Sequence, residues 1–187
     1  MGNRFLGKGT DMKKGIIIYQ SKYGATQKYA GWLREMTGFD YIRAKDALPD
    51  KVKKYDVIVL CGGIYASSIA GLSFLKKNIV RLGNKKIAVF CVGASPYDEK
   101  TFQEFKRHNL KKGLENIPLF YGRGAWDMRK MTLPDRTMCK MLQKSIAKRD
   151  PSTYEPWMVG LMSAVGQTGD WTDKKYLAPL MEYLRDL

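Results

Sequence analysis

The sequence predicts an α/β fold: a five-stranded parallel sheet in the order 2-1-3-4-5, helices on both faces, and a long insertion before the last helix. Three observations predict it. Short, almost wholly apolar runs (IIIY, DVIVLC, IAVFCV) alternate with amphipathic helical stretches, the pattern of parallel strands buried on both faces. Two further strand candidates carry the marks of sheet edges, charges in one and a proline in the other. Three loops rich in glycine and hydroxyl residues follow the three central strands, so they meet at one end of the sheet.

Residues Ile16 to Tyr19 form the first strand, which runs into Ser21, Gly24 and Thr26. A helix follows with Ala25, Tyr29, Trp32, Leu33 and Met36 at helical spacing and Gly38 as its stop. The second strand, Phe39 to Ala44, is interrupted by Asp40 and Arg43 and suits an edge. The connection from Lys45 to Lys54 contains Pro49 and has no room for a long crossover helix. Asp56 to Cys61 is the third strand, and it ends in a loop over Gly62 to Ser68. Leu72, Leu75, Ile79 and Leu82 then mark a helix closed by Gly83.

Ile87 to Val92 is the fourth strand, followed by a loop from Gly93 to Tyr97. A helix beginning near Asp98 turns Phe102 and Phe105 inward and Lys106, Arg107, Lys111 and Lys112 outward. The last strand, Ile117 to Gly122, contains Pro118, which cannot donate to a ladder and places this strand at an edge. Between Arg123 and Trp171 lies a segment that the simple fold does not need. Pro134 opens a helix there, with Met138, Met141, Leu142, Ser145 and Ile146 on one face and Arg136, Lys140, Lys144 and Lys148 on another. A second apolar patch spans Trp157 to Val165, and a closing helix carries Leu177, Leu180, Met181 and Leu184.

The 187 residues suffice for one domain with a full core. The expected organisation is an extra or disordered segment over residues 1–12 and one domain over 13–187 with its insertion at 123–171; Met12 is a candidate start. The formal net charge of +15 favours anionic partners without choosing among nucleic acid, an acidic membrane surface, a carboxylate-rich substrate or an acidic protein. The basic residues are spread over several helices without a groove-reading motif, which argues against nucleic acid. Cys61, Cys91 and Cys139 form no paired framework, and the single histidine, His108, argues against a histidine metal site. No secretory signal and no bilayer-spanning window is evident, so the expected location is the cytoplasm, with peripheral membrane contact through the basic insertion as an option.

The stretch GIIIYQSKYGAT carries the most chemistry. A strand, a tight loop and a helix N-terminus converge unpaired backbone N–H groups and the positive end of a helix on one point, which makes an anion site with phosphate as the favoured guest. Ser21 and Thr26 supply hydroxyls, Gly24 lets the backbone close on the anion, and the N–H groups of Tyr23 to Thr26 complete the nest. This loop, Ser21-Lys22-Tyr23-Gly24-Ala25-Thr26, resembles the phosphate loop of the flavodoxin family, with Tyr23 in place of a small hydroxyl residue. The resemblance implies FMN as cofactor and extends to two further loops. Gly63, Ile64, Tyr65 and Ala66 match the loop that sets an aromatic side chain against the isoalloxazine, and Val92, Gly93, Ala94, Ser95 and Tyr97 match the third flavin loop.

Ala66 stands where common flavodoxins have a glycine whose peptide turns toward the one-electron-reduced flavin. Positive φ costs a non-glycine residue about 1–2 kcal/mol, so the resemblance implies weakened one-electron chemistry. Basic charge and the long insertion, with Trp126, Arg129 and the Trp171-Thr172 entry to the last helix, are similar to the flavodoxin-like, menaquinone-linked protoporphyrinogen dehydrogenases. That likeness implies an oxidoreductase passing electrons from a porphyrinogen-like substrate through FMN to a quinone, with Lys22, Arg123 and Arg129 as candidates for meeting substrate carboxylates. The alternative is an electron carrier docking to a redox partner protein by its basic face. For the insertion helix, packing on the domain or a second subunit stands beside membrane-surface binding.

Overall fold

The computed structural model describes residues 13–187, and the expectation for residues 1–12 lies outside them. Six strands form the main sheet: β1 (Gly15–Gln20), β2 (Asp40–Arg43), β3 (Val57–Tyr65), β4 (Ser68–Ile69), β5 (Lys86–Gly93) and β6 (Leu119–Arg123). The order is β2-β1-β3-β5-β6, all parallel, with β4 attached antiparallel to β3. Once the short β4 is set aside, this is the expected 2-1-3-4-5 order. The helices are α1 (Ala25–Thr37), α2 (Pro49–Val52), α3 (Leu72–Leu82), α4 (Glu99–Asn109), α5 (Leu133–Ile146), α6 (Pro156–Ser163) and α7 (Ala178–Arg185).

Successive side chains of a strand point to opposite faces, and this alternation divides the core in two. Ile16, Ile18, Ile58, Leu60, Val89 and Cys91 pack on one side with Leu72, Leu75 and Leu82 of α3 and with Phe102 and Phe105 of α4. Ile17, Tyr19, Val57, Val59, Cys61, Ala88 and Phe90 pack on the other with Tyr29, Ala30 and Leu33 of α1 and Leu180 and Met181 of α7. Burial on both faces explains why these strands read as unbroken apolar runs. The edge strands are β2 and β6; Pro118 stands just before β6, where its carbonyl oxygen accepts from the N–H of Val89 at 2.9 Å and the ladder asks no donor of it. The helix signals hold too: Gly38 closes α1 at φ +71°, and the Asp98 carboxylate caps α4 by accepting from the N–H of Thr101 at 2.8 Å.

Three features depart from the expectation. First, β3 does not end at Cys61 but continues through Gly62, Gly63, Ile64 and Tyr65 and turns at Ala66 and Ser67 into β4. The two glycines serve close approach, not a turn: a Cβ on Gly62 would lie 2.3 Å from the carbonyl oxygen of Ala70, and one on Gly63 would lie 3.2 Å from Oγ1 of Thr26. Second, the insertion is closed at its base by an antiparallel ribbon of β7 (Ala125–Asp127) and β8 (Thr168–Asp170), which no alternation of apolar residues announces. Third, α5 buries only the Ile146 end of its apolar stripe, and its lysine face is exposed as well. Met138, Met141 and Leu142 are exposed, whereas Asp135, Gln143 and Ile146 are buried. Periodicity identifies a stripe but not its partner, and here the partners of the inward stripe are hydrogen-bonding groups, such as the Leu161 carbonyl that accepts from Gln143 at 3.4 Å.

Cys61 and Cys91 are buried in the sheet, His108 is exposed on α4, and no group of metal-binding side chains occurs among the described residues. No helix among the described residues is long and apolar enough to cross a membrane. The close backbone contact at Gly62 gives a direct test of the β3–β4 hairpin. A Gly62→Ala substitution should cost about 2 kcal/mol or more, because the atom its methyl meets is main chain and cannot rotate away; the shift of the urea unfolding midpoint measures it.

Candidate functional site

The ends of β1, β3 and β5 carry three loops, and short-range sterics bring them together. After β1 the chain turns through Ser21, Lys22 and Tyr23 to Gly24, which has φ +97° and precedes the first residue of α1. The Gly24 N–H donates to the Ser21 hydroxyl at 3.1 Å, folding the loop back on itself. The N–H of Lys28 is the first to reach a carbonyl of the helix ladder, that of Gly24, so the N–H groups of Ala25, Thr26 and Gln27 precede it and point out of the helix end. Thr26 is buried with its hydroxyl against Gly63, and the Ala25 methyl lies against Gly124, so the loop touches both its neighbours. A helix end of this form accommodates an anion.

The second loop is the tip of the β3–β4 hairpin. Ala66 and Ser67 have φ +45° and +59°, the sign that two-residue hairpins need to follow the twist of their strands. The left-handed backbone counted as a cost for Ala66 is therefore already present in the fold, imposed by the hairpin. Gly63 and Ile64 belong to β3, and Tyr65 ends it with its ring about half exposed.

The third loop is tied down from β6. The Gly124 N–H donates to the Gly93 carbonyl at 2.7 Å, Arg123 Nε to the Ala94 carbonyl at 3.1 Å, and the Tyr121 hydroxyl to the Ser95 carbonyl at 2.5 Å. Val92 is a core residue. Tyr97 turns toward α4: its hydroxyl bonds Glu99 at 2.5 Å and its ring lies 5.3 Å from that of Phe102. The structure thus gathers Ser21, Lys22, Tyr23, Gly24, Ala25, Thr26, Gly63 and Tyr65, sets Gly93, Ala94 and Ser95 beside them, and gives Tyr65 and Tyr97 separate partners.

The residue that sequence reasoning missed is Asp135, in the first turn of α5. Its buried carboxylate accepts from the hydroxyls of Tyr23 and Tyr65, the latter at 2.5 Å, and pairs with the Lys22 ammonium at 2.5 Å. Tyr23 in turn accepts from the Thr132 N–H at 3.3 Å. The ammonium also lies over the Tyr65 ring, 4.7 Å from its centroid. The Lys22 ammonium, followed by the two phenols, holds the Asp135 carboxyl far below the usual carboxylate range, and the same bond raises the Lys22 pKa. An acid next to Pro134 reads locally as a helix-start residue, and no local signal marks a partner 112 positions away.

The insertion also reaches the third loop: a Cβ on Gly160 of α6 would lie 2.8 Å from the Ser95 hydroxyl oxygen. The insertion therefore touches all three loops. The cations nominated for substrate carboxylates are all engaged. Lys22 is held by Asp135, Arg129 forms two hydrogen bonds with Asp127 at 3.1 and 3.2 Å, and Arg123 stacks 4.1 Å from the Trp171 ring. One buried donor, the indole N–H of Trp126, has no partner among the described residues.

The sequence profile of the flavodoxin domain matches residues 16–153 of this chain. No curated protein matches it. Among solved structures, the two-electron reduced flavodoxin of Megasphaera elsdenii is similar at 17% identity and TM-score 0.43, covering 57% of this chain and 82% of that one. A flavodoxin from the domain Archaea shows 19% identity and TM-score 0.40 over 68% and 92% of the two chains. The flavodoxin-like WrbA-like protein of Agrobacterium tumefaciens shows 14% identity and TM-score 0.42 over 66% and 88%.

The hairpin tip offers a check on the left-handed pair. Ala66→Gly relieves a strained φ and should stabilise the protein by about 1 kcal/mol, read from its urea midpoint; an unchanged or lower midpoint would mean that residue 66 is not left-handed in solution.

Proposed function

The chain belongs to the flavodoxin domain family, which normally binds flavin as FMN, and from that premise we propose that it is an FMN-binding oxidoreductase. The observation that carries the reading is the loop after β1. Its left-handed Gly24 and the outward N–H groups of Ala25 to Gln27 suit the FMN phosphate, with the Thr26 hydroxyl beside them. Tyr65 offers a flat, half-exposed ring for the isoalloxazine, and the loop from Gly93 to Ser95 offers its backbone. Tyr97 would have to leave Glu99 to join them. FMN, when bound, supplies one- and two-electron redox chemistry; the protein supplies position, field and exclusion of water.

The finer reading is a dehydrogenase of protoporphyrinogen type, taking electrons from a porphyrinogen-like substrate and delivering them to a quinone. Its support is the basic composition together with an insertion that leans on all three loops. An insertion in that place narrows access, which suits a small organic substrate better than open docking to a redox protein. A quinone is membrane-borne, and α5 presents Leu133, Met138, Met141 and Leu142 to the outside beside Lys140 and Lys144, a composition suited to an anionic membrane surface. Lys22 and Arg129 are already paired with carboxylates, so substrate carboxylates would displace one of these partners or meet Arg123, which stacks on Trp171 and has no acidic partner among the described residues.

The test is direct. The purified protein should bind FMN and quench its fluorescence, and the loaded protein should oxidise a porphyrinogen with a quinone as acceptor. Gly24→Ala should weaken FMN binding about tenfold, because its backbone is left-handed and a methyl there is strained. A protein that neither carries nor takes up FMN would sink the proposal. FMN binding without substrate turnover, but with electron transfer to a protein acceptor, would point to a carrier.

A further inference from the structure

We propose that Asp135 is a positioning residue: it clamps the insertion across the flavin loops and fixes Tyr65 where the flavin ring needs it. This inference rests on the FMN reading given above. The carboxylate draws together two phenols and one ammonium from two separate loops, Lys22 and Tyr23 after β1 and Tyr65 at the end of β3. Tyr65 ends a strand at a strained turn with its ring about half exposed, so without the bond to Asp135 little would hold that ring in one rotamer.

The clamp fixes the orientation of the ring. Its hydroxyl is held by Oδ1 of Asp135, the Lys22 ammonium lies over the ring 4.7 Å from its centroid, and the ring is still about half exposed, which suits a stacking partner. Asp135 is not standing in for a phosphate. Its contacts are all with side-chain ends, the Lys22 Nζ and the two hydroxyls, and among the described residues it accepts from no backbone N–H of the loop from Ser21 to Thr26. Asp135 therefore takes up none of the backbone donors at the head of α1. With the second contact of the insertion, Gly160 on Ser95, the clamp makes the insertion a wall of the site, so its order and the affinity for flavin become one linked equilibrium.

The experiment uses the full chain, FMN itself, and the variants Asp135→Ala, Asp135→Asn and Tyr65→Phe, each first checked for native circular dichroism. Asp135→Ala should raise the FMN Kd about tenfold, because the wall is no longer preorganised. It should also leave the bound flavin more fluorescent, because the tyrosine quencher is released, and speed tryptic cutting at the exposed Lys140, Lys144 and Lys148 of the loaded protein. Asp135→Asn keeps an acceptor for the phenols and should fall between wild type and alanine, which serves if the alanine variant does not fold. Tyr65→Phe and Asp135→Ala together should cost less than the sum of their separate effects.

Unchanged affinity, fluorescence and cleavage in Asp135→Ala would overturn the proposal. Tighter FMN binding would overturn it as well, since Asp135 would then be blocking the site. A wild-type protein that fails to bind FMN refutes the cofactor reading instead, and cleavage of the apo proteins then decides the clamp by itself: faster cutting in Asp135→Ala upholds it, equal cutting ends it.

Discussion

A parallel sheet buried on both faces can display its loops only at its two ends, and that constraint governs this protein. Each strand must leave the sheet at one end and return by a crossover, so the segments following β1, β3 and β5 all open on the same side. The two clusters of buried aliphatic residues, one on each face, hold those strand ends rigid. Loop geometry is then set by local sterics: the left-handed Gly24, the glycines that let Thr26 and the Ala70 carbonyl come close to β3, and the carbonyls of Gly93 to Ser95 held from β6. An anion-binding helix end, a half-exposed tyrosine and a pinned backbone loop come to one place without any of them being near another in the chain.

Most of the fold was legible in the sequence because the signals involved are local. Unbroken apolar runs, a proline that marks an edge, a glycine after a helix and an aspartate before one each act within a few residues, and all of them hold in the structure. What was not legible depends on contacts far apart in sequence. Gly62 and Gly63 read as a break, and only the approach of Ala70 and Thr26 shows that they continue a strand. The β7–β8 ribbon pairs segments more than forty residues apart, with no alternating pattern to reveal it. The stripe Met138, Met141, Leu142 was recognisable as a helical stripe, but its exposure follows from the hydrogen-bonding partners that hold the opposite face.

The candidate site divides the same way. The loop from Ser21 to Thr26 could be read residue by residue, because a strand, a glycine and a helix start are enough to form it. Tyr65 was recognised through the resemblance of its loop to the flavodoxin loop that carries an aromatic, but its partner was not, since Asp135 looks like an ordinary first-turn acid. Tyr97 shows the limit of matching by position: an aromatic residue in the right loop turns to Glu99 and Phe102 because those neighbours satisfy both its hydroxyl and its ring. Position in a loop specifies which residues are available, and the surrounding packing decides which partners they take.

The β7–β8 ribbon has a consequence for how such a chain can change. Ala125 lies opposite Asp170 and Asp127 opposite Thr168, so the residues between them leave and re-enter the domain side by side. In topological terms the whole excursion is an elongated hairpin tip. The entropy of bringing its ends together is met by the paired strands and grows only slowly with the length enclosed. The excursion can therefore be lengthened, trimmed or exchanged for another without rethreading a single strand of the main sheet. A fold of this kind can take a different roof over its loop ends by modular replacement, leaving its core untouched.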